Sequence, residues 1–271
     1  MALWTPSEID TQLWLDAQDS STIILDTENR CQDWLDKSGN EHHAFGNAGS
    51  RPIVDTDSWV GNLPTVQFDG DQSMSFAPWT SVDTSIEHTY IAVVKLLSKP
   101  NFTFILAQGY SGSERESALF YADGDFGAKD EFAFGPWEGS NSSNPLSYIA
   151  YGDIDECILI GQGRSGSPNL IYKDGVAGSD FGNIFLKNDD NVELVLGRRA
   201  DDDLDSGNLV GLVAEVIILD RVDDTERHKL EGYLAHKWNI NDKLPVDHPY
   251  KSSPPDDGTT RRRMNHLMWG L

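Results

Sequence analysis

The carboxylates closest to a catalytic arrangement lie in two short runs, EIDTQ beginning at Glu8 and DIDEC beginning at Asp153. Strand side chains alternate between faces, so acidic residues at every second position share one face. A retaining glycoside hydrolase needs two such carboxyl groups about 5 Å apart, one as nucleophile and one as acid. The first run ends in Gln12 and follows Pro6, which predicts a short helix; the second has Cys157 at the third position. The catalytic pattern sought has three carboxylates at alternate positions of one strand, and neither run completes it, so we expect no hydrolytic activity.

The sequence motifs of other catalytic classes are also absent or incomplete. The sequence has no G-x-S-x-G elbow, and Cys31 and Cys157 lie outside any recognisable catalytic context or metal-ligand spacing. The run GQGRSG at Gly161 leads into Ser-Pro and a strand rather than a helix, which argues against a phosphate-binding loop. Adjacent His42 and His43 would point to opposite faces of a strand. We therefore predict two buried, reduced thiols, two histidines in loop or packing roles, and a protein that is not an enzyme.

Clustered aspartates raise the question of calcium, which takes six to eight oxygen ligands in proteins. The runs FDGDQS and RRADDDLDSGN each place several carboxylates in one loop. Neither run has EF-hand spacing, and a solvated acidic loop is the favoured interpretation, with a calcium site as the alternative. No cofactor is required on this reading. The candidate calcium ligands are Asp69, Asp71, Asp201, Asp202, Asp203 and Asp205.

Aromatic side chains beside polar loops are the usual platform for sugars, because a ring covers the apolar face of a sugar while polar groups bind its hydroxyls. Three aromatic residues at predicted strand ends are candidates for such carbohydrate binding, with rim packing as the alternative: Trp79, Tyr110 and Trp137. Three further tryptophans lie inside apolar patterns and are assigned to the core: Trp14, Trp34 and Trp238.

The chain is strongly acidic, with 21 basic residues, 44 acidic residues and a net charge of −23. From Lys251 onward it has four basic and two acidic residues, so residues 1–250 carry −25. Such a body repels phosphate backbones and anionic lipids, which argues against nucleic acid and membrane partners. No segment reads as a secretory signal or a membrane span, so synthesis in a cytoplasm is expected.

Eight runs rich in β-branched and aromatic residues recur between turn-forming residues, which predicts an antiparallel sandwich. The predicted strands are residues 90–97, 102–109, 117–123, 131–137, 156–163, 169–178, 192–199 and 212–219. Asp174-Gly175 is a hairpin signal, since both central residues of such a turn need positive φ. No helical pattern separates these strands, so a parallel arrangement is disfavoured.

One amphipathic helix is predicted over about 224–238. Asp223 can cap it, with Glu226 three positions later as in a capping box. The apolar residues that share one face at helical spacing are Leu230, Tyr233, Leu234 and Trp238. Gly232 costs about 1 kcal/mol relative to alanine in a helix, which indicates close approach to neighbouring backbone. We expect this helix to cover one side of the sandwich.

These residues also carry a family resemblance. The run GLVAEVIILDRVDDTERHKLEGYLAHKW, followed by LPVDHPY and PP, resembles the end of the laminin-G-like, concanavalin A-like jelly-roll domains of bacterial surface proteins and phage structural proteins. The runs LWLDAQDSSTI, WLDKSGNEHHAF and LPTVQFDGDQSMSF are similar to that family's opening strands, and IYKDGVAG to its central hairpin. The resemblance covers about residues 13–255. It implies an all-β jelly-roll sandwich over residues 1–250, but the fold hosts lectins, hydrolases, adhesins and inert modules.

The resemblance, with no catalytic set and no export signal, suggests a bacteriophage virion protein. It would be a capsid decoration protein or tail adhesin that presents a lectin-like module on the virion surface, made in the host cytoplasm. A carbohydrate-binding module on a bacterial cell surface is the alternative, and a glycan hydrolase is a further one. The expected partners are other virion subunits or copies of the same chain, and surface glycans.

Residues 251–271 form a tail of different composition. Pro254-Pro255 and Asp257-Gly258 favour an extended connector. Beyond them, a basic run and an apolar set too short to form a core suggest a docking peptide, with a free tail as the alternative. The docking residues would be Arg261, Arg262, Arg263, Met264, Leu267, Met268, Trp269 and Leu271.

Overall fold

The computed structural model describes residues 3–76, 87–99, 102–109, 116–123, 130–137, 146–164, 166–179, 181–183, 193–200 and 207–256. Within these ranges the chain is mainly β, with one α-helix, α1 (Asp224–Lys237), and 3-10 helices at Pro6–Glu8, Ser20–Thr22 and Asn241–Lys243. No helix in this described part of the chain has the length and apolar character needed to cross a bilayer.

The strands are short at the N-terminal end of the chain and longer in its middle. They are β1 (Leu13–Asp16), β2 (Ile23–Leu25), β3 (Cys31–Trp34), β4 (Ala44–Gly46), β5 (Ile53–Asp55), β6 (Thr65–Asp69), β7 (Met74–Phe76), β8 (His88–Leu96), β9 (Phe102–Gly109), β10 (Glu116–Ala122), β11 (Glu131–Trp137), β12 (Ser147–Ala150), β13 (Cys157–Gly163), β14 (Pro168–Lys173), β15 (Val176–Ala177), β16 (Phe181–Asn183), β17 (Glu193–Leu196) and β18 (Val210–Leu219).

The strands form two antiparallel sheets. The first has the order β15-β14-β13-β8-β18-β6-β5, with β1 added beside β18 and β16 beside β14. The second has the order β12-β11-β10-β9-β17-β7-β4-β3-β2. Isolated bridges between Arg30 and Ile53 and between Tyr148 and Ser179 join the two sheets near their edges. The antiparallel sandwich with one short C-terminal helix is therefore confirmed.

The core lies between the sheets, where apolar residues of the central strands are fully buried. On β8, Tyr90 packs against Phe134 of β11, with ring centroids 5.8 Å apart. Gly161 stands opposite Phe134, and a Cβ there would lie 2.1 Å from that ring, so the neighbouring sheet fits only against glycine. Cys31 and Cys157 are buried free thiols, as predicted. Burial raises the pKa of the Cys31 thiol to about 12.

The predicted helix and its Asp223 cap are confirmed, but the expected capping box is not formed. Asp223 caps α1 by accepting a hydrogen bond from the Glu226 amide at 2.8 Å, whereas the Glu226 carboxylate bonds Arg221 Nε at 2.9 Å instead of closing a capping box. The apolar face is buried at Leu230, Leu234 and Trp238. A helix of this length is marginal alone, so it depends on the sheet it covers.

Helix α1 is fastened to the first sheet by a buried carboxylate. Glu215 of β18 accepts hydrogen bonds from Trp14 Nε1 and Trp238 Nε1, both at 2.7 Å, and from Lys237 Nζ at 2.6 Å. Lys237 also pairs with Asp16 at 2.6 Å. A buried charge is tolerated only when it is paired and hydrogen-bonded, and these donors meet that requirement. Trp14, Trp34 and Trp238 are all buried, as expected for core residues.

The close approach expected at Gly232 is present, but its neighbour is a side chain rather than backbone. A Cβ on Gly232 would lie 2.3 Å from the Cβ of Tyr250. The segment that follows α1 therefore folds back over the helix. It continues beyond residue 250: the Trp4 amide donates to the Pro255 carbonyl at 3.2 Å, and Leu3 forms a bridge with Asp256.

Candidate functional site

A cavity of about 280 Å³ opens at one end of the sandwich, and every side chain that lines it is polar. Asn47 and Asp71 at its border are exposed, so solvent reaches it. Its floor includes Ser73, which is buried. The full lining consists of Asn47, Ser50, Asp71, Gln72, Ser73, Arg198 and Asn208.

The cavity is assembled from four chain segments by the order of strands in the sheets. Asn47 and Ser50 belong to the β4–β5 connection, and Ser73 to the β6–β7 connection, joined by a hydrogen bond from the Ser73 amide to the Ser50 carbonyl at 3.2 Å. Arg198 follows β17, which pairs with β7, and Asn208 precedes β18, which pairs with β6. Neighbouring strands therefore bring residues distant in sequence to one place.

Charges beside the cavity are paired with one another. The carboxylate of Glu193 on β17 accepts a hydrogen bond from Ser75 Oγ at 2.8 Å and from Arg198 Nη2 at 3.2 Å. Arg198 also donates to the Arg199 carbonyl at 2.8 Å. These bonds fix the guanidinium at the cavity wall, where it and Glu193 largely neutralise each other.

An exposed phenylalanine stands next to this group on the face of the second sheet. Phe45 lies between buried Ala44 and Gly46 on β4, so its side chain points away from the core. Its side chain is 39% exposed, which is unusual for a phenylalanine in a sheet. His43 meets the ring edge-on, with centroids 6.4 Å apart. The open ring is a flat apolar surface that a ligand can cover.

A row of cross-strand partners extends this surface over four strands. Ile24 on β2 pairs with Asp33 on β3, Asp33 pairs with Phe45, and Phe45 pairs with Ser75 on β7. Four strands span about 14 Å at the usual strand spacing. Ile24 is 40% exposed. The row thus presents apolar and polar groups alternately and ends beside the cavity. We call this row and the cavity together the polar-aromatic face.

The calcium prediction is only partly within the described structure. Asp71 lines the cavity, and Asp69 pairs with Val210 at the start of β18. The Asp69 amide donates to Gln72 Oε1 at 2.6 Å and the Asp71 amide points to Asp69 Oδ1 at 3.5 Å, which is the pattern of a tight turn. The other four candidates, Asp201, Asp202, Asp203 and Asp205, lie outside the described residues, so calcium remains a prediction.

The predicted sugar-stacking residues are also mostly outside the described structure. Trp79 and Tyr110 fall in undescribed segments. Trp137 ends β11 opposite Glu116 of β10, and only its backbone is described. Residues 257–271, which hold the predicted docking peptide, are likewise outside. Phe45 and the cavity were not anticipated, because the three-residue strand AFG gives no periodic signal.

Carboxylates of the two acidic runs considered for catalysis form hydrogen bonds and ion pairs with neighbouring parts of the fold. Glu8 accepts the Thr5 amide at 3.1 Å in the 3-10 helix Pro6–Glu8, the short helix predicted there. Glu156 pairs with Lys95 at 2.9 Å, and Asp155 pairs with Lys243. A hydrogen bond from Glu156, and after it the ion pair with Lys243, lower the pKa of Asp155 to about 2.

His228 and Glu231 of α1 and His248 bring three ligand-type atoms within 4.8 Å of one another. Their ligand-type atoms are already hydrogen-bonded within the protein. Arg227 donates to Glu231 Oε1 at 2.7 Å and to His228 Nε2 at 3.0 Å, and His248 Nε2 bonds Glu231 Oε2 at 2.9 Å. The Tyr250 amide donates to His248 Nδ1, which leaves the ring proton on Nε2. A guanidinium inside the group repels a divalent cation, so this cluster acts as a clasp between α1 and the segment after it.

Neither a protein-family model nor a curated protein sequence matches the chain. Solved structures do resemble it. Trypanosoma rangeli sialidase in complex with sialic acid aligns with a TM-score of 0.56 at 14% identity, over 88% of this chain and 34% of that chain. Domain 4 of AbnA, a GH43 extracellular arabinanase from Geobacillus stearothermophilus, in complex with arabinotriose, aligns at 0.52 and 13% identity, over 77% and 91%.

The binding domain of botulinum neurotoxin DC in complex with rat synaptotagmin II aligns at 0.56 and 9% identity, over 85% of this chain and 52% of that chain. This chain spans about a third of the length of the sialidases. At such identities the likeness establishes the fold, a β-sandwich shared with proteins of several functions. The narrower laminin-G-like and concanavalin A-like assignment stays a prediction from the sequence.

Proposed function

We propose that this protein is a non-catalytic carbohydrate-binding module and that the polar-aromatic face holds the sugar. The observation that carries the proposal is a solvent-open cavity lined by polar residues, together with the exposed ring of Phe45, which precedes the cavity residue Asn47 by two positions. Sugars need this combination, because each unit has an apolar C–H face and a rim of hydroxyl groups. Amides, hydroxyls and a carboxylate at the cavity can both donate to and accept from those hydroxyls.

Two of the similar structures support the class of ligand. The sialidase contains sialic acid and the arabinanase domain contains arabinotriose, as their descriptions state. The arabinanase domain is covered over 91% of its length, so a single domain of this fold is seen with a bound oligosaccharide. The neurotoxin domain, seen with a protein receptor, makes a protein ligand the main alternative.

Binding is tested by screening the purified protein on a glycan array and measuring the hits by calorimetry. Phe45→Ala is expected to weaken binding about tenfold, the size of a lost stacking contact. Asn47→Ala should weaken it as well by removing a cavity amide. Val246→Ala is the matched control, since Val246 is 92% exposed and lies outside the face. A protein that binds no glycan, or hits unaffected by Phe45→Ala and Asn47→Ala, would contradict the proposal.

The absence of hydrolysis is part of the proposal. The acidic runs lack a complete catalytic set, and the described carboxylates Glu8 and Glu156 are held in structural bonds. We expect no release of reducing sugar from any polysaccharide that the protein binds. Release that is abolished by Glu8→Gln or Glu156→Gln would overturn this part.

The finer proposal, from the sequence resemblance, is that the module is carried on a bacteriophage particle as a decoration protein or tail adhesin. Its support is the resemblance to phage structural proteins and the acidic composition. A bacterial cell-surface module is the alternative. Finding the chain in purified particles by mass spectrometry, and locating it by electron microscopy, would separate the two.

A further inference from the structure

We infer that the polar-aromatic face selects uncharged glycans and rejects anionic ones such as sialylated or uronate-containing chains. This inference rests on the proposed function and specifies the substrate class of the same site.

The first support is the local charge balance. Among the described residues, three carboxylates stand on the face or at the cavity, those of Asp33, Glu193 and Asp71, and the cavity lining holds one cation, Arg198. Arg198 is already bonded to Glu193 and to a backbone carbonyl. A sugar carboxylate would have to compete with Glu193 for the guanidinium while lying close to it. Like charges at such distances are repelled, whereas hydroxyl groups are not.

The second support is that another described cation close to β4 is also occupied. Arg51 follows the cavity residue Ser50 in the chain and donates to Asp26 at 3.0 Å and to the Gly46 carbonyl at 3.1 Å. Its Cγ lies on the inward side of Gly46, opposite to the Phe45 ring, so the charge of Arg51 is paired and directed away from the exposed ring.

The third support is the long-range field. Residues 1–250 carry a net charge of −25, which lowers the local concentration of any anion and slows its association. This repulsion is screened over about 8 Å at physiological salt, so it acts most strongly at low ionic strength. An uncharged ligand is unaffected by it.

Cavity size sets the scale of the ligand. Sites for drug-sized molecules run about 300–1,000 Å³, so 280 Å³ suits one sugar unit with its hydroxyls. The row from Phe45 towards Ile24 then has room for one or two further units of a chain. The ligand expected is the end of an uncharged oligosaccharide, with the terminal unit in the cavity.

The experiment compares matched pairs of glycans that differ only in a terminal sialic acid or in oxidation of a sugar to its uronic acid. The wild-type protein is expected to bind the uncharged member at least about tenfold more tightly, with the gap widening at low salt. Glu193→Gln keeps an acceptor for Ser75 but removes the charge that occupies Arg198. In that variant the ratio of anionic to uncharged affinity should rise several-fold.

Asp247→Asn is the control, because it removes the same charge from an exposed position in the segment after α1. It should leave the ratio unchanged. Equal or tighter binding of the anionic members by the wild-type protein would overturn the inference while leaving the proposed function intact. A ratio that rises equally in Asp247→Asn would also overturn the local explanation. Binding of neither class would overturn the proposed function itself.

Discussion

At the scale of single residues, Asp174 occupies a hairpin turn in which its buried carboxyl group destabilises the folded protein at neutral pH. It occupies the first central position of the β14–β15 hairpin with φ of 52°, and Gly175 follows with φ of 82°. Its Oδ1 accepts the Ile158 amide at 2.8 Å. Burial raises the pKa of Asp174 to about 6 from an ordinary 3.8. The folded state therefore holds this proton more tightly than the unfolded state does.

Because folding raises the pKa of Asp174, ionisation of this carboxyl group is expected to lower the free energy of unfolding as pH rises. Between about pH 4 and pH 6 the folded protein binds more protons, so the free energy of unfolding falls across that window and the loss persists at neutral pH. Asp174→Asn keeps the acceptor and the positive φ but cannot ionise. It should raise the free energy of unfolding at pH 7 by up to about 3 kcal/mol and change it little at pH 3.5. Urea denaturation at both pH values measures this.

Asp247→Asn, at an exposed position, is the control for Asp174→Asn and should give no pH-dependent gain. An Asp174→Asn variant with the same stability change at pH 3.5 and pH 7 would show that ionisation of Asp174 is not the cause.

At the scale of elements, Trp238 is the residue that tests whether α1 packs against the first sheet. Its side chain is fully buried, its Nε1 donates to Glu215 at 2.7 Å, and its carbonyl accepts Trp59 Nε1 at 3.1 Å. Trp238→Ala should reduce the free energy of unfolding by about 3–5 kcal/mol, as expected for a large core aromatic. Urea denaturation followed by circular dichroism measures the loss, with Val246→Ala as control. An unchanged midpoint would show that the helix is not packed as described.

Gly232 tests how closely the segment after α1 covers the helix. Alanine normally stabilises a helix by about 1 kcal/mol relative to glycine. Here the new Cβ would lie 2.3 Å from the Cβ of Tyr250, so Gly232→Ala should instead destabilise by about 1–3 kcal/mol. Thermal denaturation of the single and double variants measures it. In a Tyr250→Gly background, which lacks that Cβ, the same change should be neutral or stabilising, and a cost that persists there would exclude the overlap as its cause.

For the whole molecule, the two ends of the described chain are joined. Trp4 is buried and meets Tyr233 of α1 edge-on at 6.3 Å, while its amide bonds Pro255. Residues 251–256 thus lie with the body, six residues beyond the boundary expected from composition. The tail that the sequence predicts to be a docking peptide begins only after them.

Two truncated forms test the contribution of residues 251–256 to stability separately from that of the residues after them. Ending the chain at residue 256 should leave the melting temperature unchanged, because the bonds of Trp4 and Leu3 are kept. Ending it at residue 250 should lower the melting temperature by about 2–8 °C, the effect of losing one to two kcal/mol in a domain of this size. Scanning fluorimetry on both forms measures the difference. Equal melting temperatures would mean that residues 251–256 contribute nothing to the fold.

The sequence by itself determined the features that depend on neighbours along the chain. Strands such as Phe102–Gly109 and Glu131–Trp137 follow from β-branched and aromatic residues between turn-forming residues, and the Asp174-Gly175 turn from the need for positive φ. The Asp223 cap follows from the unpaired amides of a helix start. Each of these signals is contained in a few consecutive residues, and the number and spacing of the strand signals predicted the sandwich.

Only the tertiary structure decided the candidate site. Asn47, Asp71, Arg198 and Asn208 meet because β7 lies between β4 and β17 in one sheet, and β6 beside β18 in the other. Phe45 becomes a ligand surface because Ala44 and Gly46 face the core and leave its ring outward. Strand order and register are set by packing of the whole sandwich rather than by local propensity, so no window of the sequence contains them.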